Sequence, residues 1–287
     1  MRGSANGSGD GYNPAPMTID AAAFHEFERA GWERAAEHYA DAFGDVTTQV
    51  AAPLLDAVSA DALSRLLDVA TGPGFVAAAA AARGAIVTGL DFSPAMIADA
   101  RRRHHGITFR EGDAEALPFD AASFDAVVMN FGLLHLARPE AAIAEAHRVL
   151  RAGGRYAFTV WATPETAVGF GMVLKAIEEF GRPSVSLPDG PPFFRFSDAN
   201  ESRRALERAG FSNVGVRVVP LTWNLSSADG VYDALSRGGV RTAAVLRAQT
   251  PEALAAIRAA IRQSAERYKQ GDRFVLPMPA VLASGTR

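Results

Sequence analysis

The sequence predicts a doubly wound α/β protein, with helices ahead of the sheet and a helical cap inserted before its last strand. Three observations lead there. The apolar stretch Leu66-Leu67-Asp68-Val69 runs into the glycine-rich turn Ala70-Thr71-Gly72-Pro73-Gly74 and on into the alanine-rich run Phe75-Val76-Ala77, a strand–turn–helix opening of nucleotide-binding domains. Strand-like segments then alternate with helix-like ones, which implies a parallel sheet. Finally, acidic residues recur at the ends of successive strands, at Asp68, Asp91 and Asp113.

The elements follow in order. Apolar residues at Phe24, Phe27, Trp32, Ala35, Tyr39 and Phe43, with charges between them, have helical spacing. Pro53 starts a further helix running to Leu63. Strands are expected over 65–71, 86–91, 107–110, 125–131 and 154–161. Ser93 caps the helix after the second strand, with Pro94 at its first position. Another helix starts at Pro139 and stops at Gly153-Gly154. Beyond Trp161 the pattern changes: 181–192 is rich in Pro, Gly and Ser, and reads as a loop folding over the sheet edge. A helix over 198–209, a strand over 214–223, helices over 228–237 and 251–268, and a last strand over 275–284 complete the chain. The units expected are N-terminal helices over 17–64, a core over 65–162, an acceptor loop or cap over 163–197, and the remaining sheet with its helical insertion over 198–287. Residues 1–16 resemble a vector-derived leader, with Met17 as the natural start.

Composition excludes several classes. The chain of 287 residues carries 29 basic and 32 acidic side chains, for a net charge of −3. That provides no electrostatic footprint for nucleic acid or for an anionic membrane. With no cysteine, disulfides and thiolate chemistry are absent. The longest apolar run is about eight residues, against roughly twenty needed to span a bilayer. No secretory signal is visible, and a cytoplasmic location is expected.

The glycine turn fits G-x-G-x-x-A, and Asp91 lies nineteen residues past Gly72, a spacing that also suits a dinucleotide. Two details lean away from one. Asp68 puts a carboxylate where a pyrophosphate would be repelled and an ammonium or sulfonium attracted. Pro73 removes a backbone donor from the loop that would cradle phosphate.

Four segments, in order, carry a resemblance: Leu67-Asp68-Val69-Ala70-Thr71-Gly72-Pro73-Gly74, Gly89-Leu90-Asp91-Phe92-Ser93, Glu111-Gly112-Asp113-Ala114-Glu115-Ala116-Leu117-Pro118-Phe119, and Phe124-Asp125-Ala126-Val127-Val128-Met129-Asn130-Phe131. The chain resembles class I S-adenosylmethionine-dependent methyltransferases of the UbiE-like, type 11 family. The resemblance implies a Rossmann-like, seven-stranded mixed sheet whose last strand is antiparallel. It implies S-adenosyl-L-methionine as cofactor and S-adenosyl-L-homocysteine as product. On this reading Asp68, Thr71 and the backbone of Ala70, Gly72 and Gly74 hold the amino acid end. Asp91 accepts from the ribose hydroxyls, Phe92 and Met96 flank the adenine, and Asp113 with the N–H of Ala114 reads its edge. Asn130 and Phe131 line the path to the methyl group. The acceptor is then a small molecule, with no nucleic acid or membrane partner and no metal.

Plainer roles stand beside these. Asp91 precedes a Ser-Pro helix start and serves equally as a cap, and Asp113 follows a glycine as turn acids do. Jointly, three acids on one sheet edge favour a site. His135 is the candidate base if the acceptor must lose a proton, although packing and hydrogen bonding at the strand end is the reading preferred for it. For Tyr39, core packing is preferred over contact with the ligand. Trp161, Phe170, Met172, Phe193, Phe194 and Phe196 are read as an apolar acceptor pocket or cap packing. Alternatives are a non-methylating S-adenosylmethionine-binding protein on the same fold and, less favoured, a nicotinamide-dependent oxidoreductase.

Overall fold

The computed structural model describes residues 20–287; the leader expected over 1–16 and the start expected at Met17 lie outside them. Asp20 caps α1 (Ala21–Thr48) by accepting from the N–H groups of Ala22 and Ala23, and α2 (Ala51–Ala57) follows. The core alternates β1 (Arg65–Val69), α3 (Phe75–Ala82), β2 (Ile86–Asp91), α4 (Pro94–Arg103), β3 (Thr108–Glu111), β4 (Phe124–Asn130), α5 (Pro139–Val149) and β5 (Leu150–Trp161). Then come α6 (Val168–Phe180), α7 (Ala199–Arg208), β6 (Ser212–Val219), β7 (Thr222–Leu225), α8 (Gly230–Arg237), α9 (Arg241–Arg247), α10 (Pro251–Ala265), β8 (Lys269–Gln270), β9 (Arg273–Pro277) and β10 (Ala280–Thr286).

The main sheet has seven strands in the order β3-β2-β1-β4-β5-β10-β6. The strands from β3 to β5 pair in parallel, and β10 lies antiparallel between β5 and β6. This is the mixed, doubly wound sheet expected, with its last strand reversed. The order turns back between β1 and β4, so a crevice opens at their carboxyl ends. Leu66, Leu67, Val127, Val128 and Phe158 are fully buried in the sheet, as strands covered on both faces require.

Several boundaries differ from expectation. The strand expected over 214–223 is two, β6 and β7, because Pro220 has no N–H for the ladder. The strand expected over 275–284 is likewise split at Met278-Pro279. Its first part, β9, pairs with β7 and β8 in a separate three-stranded sheet. The insertion has three helices, not two, with α9 between those expected. The helix expected through 153 ends at Val149, and β5 starts at Leu150. Within 163–197, expected as an acceptor loop or cap, α6 buries Phe170, Val173, Ala176 and Ile177 along one face, while the loop expected over 181–192 has no helix or strand. Gly169 lets α6 approach closely, since a Cβ there would lie 2.9 Å from the ring of Trp223.

Candidate functional site

The loop after β1 is held by contacts that begin in the strand itself. Asp68 accepts the Thr71 hydroxyl at 2.7 Å, and Thr71 N–H donates to the Leu90 carbonyl at 2.9 Å. Ala70 turns with φ of +54° and Gly72 with +53°. A left-handed alanine costs roughly 1–2 kcal/mol, so the surroundings must impose it. Gly132 packs against it, and a Cβ there would lie 2.6 Å from that of Ala70.

Asp91 ties this loop to the next strand. One carboxylate oxygen accepts the N–H of Gly72 at 2.9 Å and the other that of Ser93 at 3.0 Å. Each oxygen keeps a lone pair for a ligand hydroxyl. The plain capping role and the ligand role therefore coexist at Asp91. Ser93 caps α4 and also donates to Glu33 of α1 at 2.8 Å.

These elements enclose a pocket at the carboxyl ends of β1, β2 and β4. Ten of the residues singled out from the sequence line it: Ala70, Gly72, Asp91, Phe92, Met96, Asp113, Ala114, Asn130, Phe131 and His135. Asp68, Thr71 and Gly74 stand behind the loop instead. The N–H of Gly74 is committed to the Thr71 carbonyl, and a Cβ at Gly74 would strike Phe109 and His104. Asn130 is also engaged by the protein, accepting from Thr159 at 2.6 Å and donating to the Thr47 carbonyl at 3.2 Å. Asp113 accepts the N–H of Glu115 as a turn acid, while its other oxygen lies 3.6 Å from His25 Nε2.

The electrostatics are one-sided. Among the described residues, no lysine or arginine lines the pocket. Burial pushes the Asp68 carboxyl up to about 7, offset in part by the Thr71 hydroxyl. Burial likewise pushes Asp91 up to about 6, against the Ser93 and Gly72 amides. One oxygen of Asp68 is buried with no hydrogen-bond partner. Such a site is short of positive charge and of donors, and it favours a ligand that brings both.

Residues 67–158 match the family model described as a methyltransferase domain. That stretch, about a third of the chain, is similar to the family. A demethylmenaquinone methyltransferase of Clavibacter sepedonicus is 39% identical over 137 residues, covering 46% of this chain and 53% of the relative. An uncharacterized protein of Mycobacterium tuberculosis is 38% identical over 163 residues, 55% of this chain and 57% of the relative. The chain thus spans about half the length of the curated relatives it matches. The solved structure of an S-adenosylmethionine-dependent methyltransferase from Thermotoga maritima superposes with a TM-score of 0.52 at 20% identity, over 90% of this chain and 98% of that one. The two share the fold. No described helix is long and apolar enough to cross a membrane.

A second chamber adjoins the strand-end pocket and shares Trp32, Tyr39, Phe131 and His135 with it. Of the aromatics expected there, Trp161, Phe170 and Phe193 line it. Met172, Phe194 and Phe196 do not: Phe194 braces Phe170 edge-on at 5.7 Å, and Phe196 is buried beside Phe158. Phe131 stacks on Trp161 at 4.0 Å.

Sequence reasoning missed what α1 and α9 bring. Glu28, fully buried, accepts from His135 Nδ1 at 3.0 Å and from Arg241 Nε at 2.8 Å. Burial opposes its charge, but His135 and Arg241 more than offset this and hold the carboxyl below its usual range. Glu28, Trp32 and Tyr39 recur at helical spacing on one face of α1. That period is legible in the sequence, but Glu28 falls among the charges between the apolar positions and nothing local marks it.

Proposed function

We propose that the chain is an S-adenosylmethionine-dependent methyltransferase that acts on a small molecule by direct, in-line transfer. The observation that carries this reading is the strand-end pocket, lined by the buried carboxylate of Asp91, with that of Asp68 behind its loop, and by no lysine or arginine among the described residues. A nicotinamide dinucleotide would bring a pyrophosphate without finding a countercharge there. An ammonium and a sulfonium would relieve the burial of Asp68 and Asp91.

The residues divide the work. Asp91 accepts from the ribose diol, for which an acceptor-only carboxylate is suited. Phe92 and Met96 flank the adenine, and Asp113 with the Ala114 N–H reads its edge. Asp68 holds the Thr71 hydroxyl, and with it the shape of the loop whose Ala70 and Gly72 face the amino acid end. Bound sulfonium activates its own methyl carbon, so the protein supplies alignment and exclusion of water, and alignment alone is worth an effective molarity of order 10⁵ M or more. Phe131 and Trp161 form the wall between donor and acceptor. The acceptor occupies the aromatic chamber, in keeping with relatives named for a small-molecule acceptor, demethylmenaquinone.

Calorimetric titration with S-adenosylmethionine, S-adenosylhomocysteine and NADH tests this reading. Micromolar binding of the first two alone is expected. Binding of NADH alone would overturn it. Tight binding of both sulfur ligands, without transfer to any acceptor, would favour a non-methylating protein on this fold.

A further inference from the structure

Resting on the methyltransferase reading, we infer that Glu28 is a positioning residue that makes His135 a proton acceptor, and that the acceptor is an uncharged aromatic molecule methylated on a hydroxyl oxygen. The ionisable groups that face the aromatic chamber, among the described residues, are Tyr39, His135 and Arg241. Burial pushes the Tyr39 phenol up to about 12, so it stays protonated. The Arg241 guanidinium is tied to the protein through all three nitrogens, donating from Nε to Glu28 at 2.8 Å, from Nη1 to the Pro191 carbonyl at 2.8 Å, and from Nη2 to the Leu134 carbonyl at 2.9 Å. It also lies 4.5 Å from the Phe24 ring centre. An anionic acceptor finds no free cation in this chamber, and a cationic one finds no free carboxylate.

His135 is held differently. Its Nδ1–H donates to Glu28, which places the lone pair on Nε2, and Nε2 makes no protein hydrogen bond among the described residues. The ring stands edge-on to Trp32 at 4.8 Å and to Phe193 at 5.7 Å, and it lines both chambers. Arg241 offsets the charge of Glu28. A base set at the junction of a methyl-donor pocket and an apolar aromatic chamber has one evident use. A thioether or a neutral amine attacks without losing a proton first; a hydroxyl benefits from losing it.

The step balances without a further reactant. The acceptor O–H gives its proton to His135 Nε2 as an oxygen lone pair forms the bond to the donor's methyl carbon. The carbon–sulfur bond breaks with its electrons on sulfur, leaving a methyl ether and S-adenosylhomocysteine. The imidazolium then returns its proton to solvent.

The test uses two phenols on the full chain, 2-naphthol, which is protonated at neutral pH, and 4-nitrophenol, which ionises largely unaided. The wild type is expected to methylate 2-naphthol. Glu28→Gln is expected to lower kcat on 2-naphthol at least tenfold, within the 10²–10⁴-fold range of general-base contributions, with a smaller loss on 4-nitrophenol. Its affinity for S-adenosylhomocysteine is expected to hold. A double variant with His135→Gln should be no worse than His135→Gln alone. Independently of turnover, long-range ¹H–¹⁵N NMR of the imidazoles should show His135 as the Nδ1–H tautomer in the wild type and a mixture in Glu28→Gln. An Nε2–H tautomer in the wild type, equal losses on both phenols, or a wild type that binds S-adenosylhomocysteine yet methylates neither phenol would overturn the inference and leave the cofactor reading standing. Failure to bind S-adenosylhomocysteine would overturn both.

Discussion

The strand-end pocket and the aromatic chamber share a wall and are assembled in opposite ways. In the pocket, polar contacts close over short stretches of chain: Asp68 to Thr71 spans 3 residues and Gly72 to Asp91 spans 19. In the chamber, Glu28 reaches 107 residues to His135 and 213 to Arg241. The pocket uses backbone groups at strand ends, which any sequence on this fold possesses, and adds a few acids. The chamber uses side chains from three separate elements. A site of the first kind belongs to the fold, and one of the second kind belongs to the particular chain.

The largest expected effect separates the two by stability. Glu28→Ala leaves the partly buried Arg241 and His135 facing a cavity without their shared carboxylate, and should cost about 3–5 kcal/mol in chemical denaturation. Affinity of the folded variant for S-adenosylhomocysteine should stay within a few-fold of wild type. A large loss of that affinity would show the chambers to be one coupled unit.

Asp68→Asn should act in the other direction. A carboxyl raised from 3.8 to about 7 in the folded state keeps its proton while the unfolded chain loses its own. Its stabilising contribution is therefore complete below about pH 4 and lost as the pH rises to about 7. Removing that ionisation should make the ligand-free protein more stable at pH 8 by on the order of 2–4 kcal/mol, with the gain fading towards pH 4. Thermal unfolding across this range, variant against wild type, measures it. A constant difference would mean that Asp68 is not the titrating group.

Asp91→Ala should weaken S-adenosylhomocysteine binding roughly tenfold or more, about 1.4 kcal/mol, by calorimetry. It also strips the Gly72 and Ser93 amides of their acceptor, so the loop should loosen with it. Asp113→Ala should have the smallest effect, threefold or less, roughly 0.6 kcal/mol, because its side chain is about 37% exposed and solvent screens it. Equal losses at the two acids would mean that the adenine edge contributes as much as the ribose.

The same contrast decides what could be read from the sequence. The sheet was legible because strand, turn and helix signals are local, and eight of the ten pocket residues followed from segments of five to nine residues each. Boundaries slipped where one residue overrode the pattern, as Pro220 does between β6 and β7. Helix α6 was obscured by Gly169 and Gly171, although Phe170, Val173, Ala176 and Ile177 already had helical spacing. Asp68 could be placed at the strand end, but not its orientation, towards Thr71 rather than the pocket. Glu28 and Arg241 carried no local signal, since a buried ion pair between α1 and α9 exists only once the chain has closed on itself.

The central claim is that the strand ends of β1, β2 and β4 form the S-adenosylmethionine site, and amide NMR on titration with S-adenosylhomocysteine tests it most directly. The account predicts shifts at Ala70, Gly72, Phe92, Ala114 and Phe131, and none at Arg65, Ile86 or Phe124 at the opposite edge of the sheet. Shifts confined to that opposite edge, or saturating ligand with the Gly72 and Ala114 amides unmoved, would contradict it.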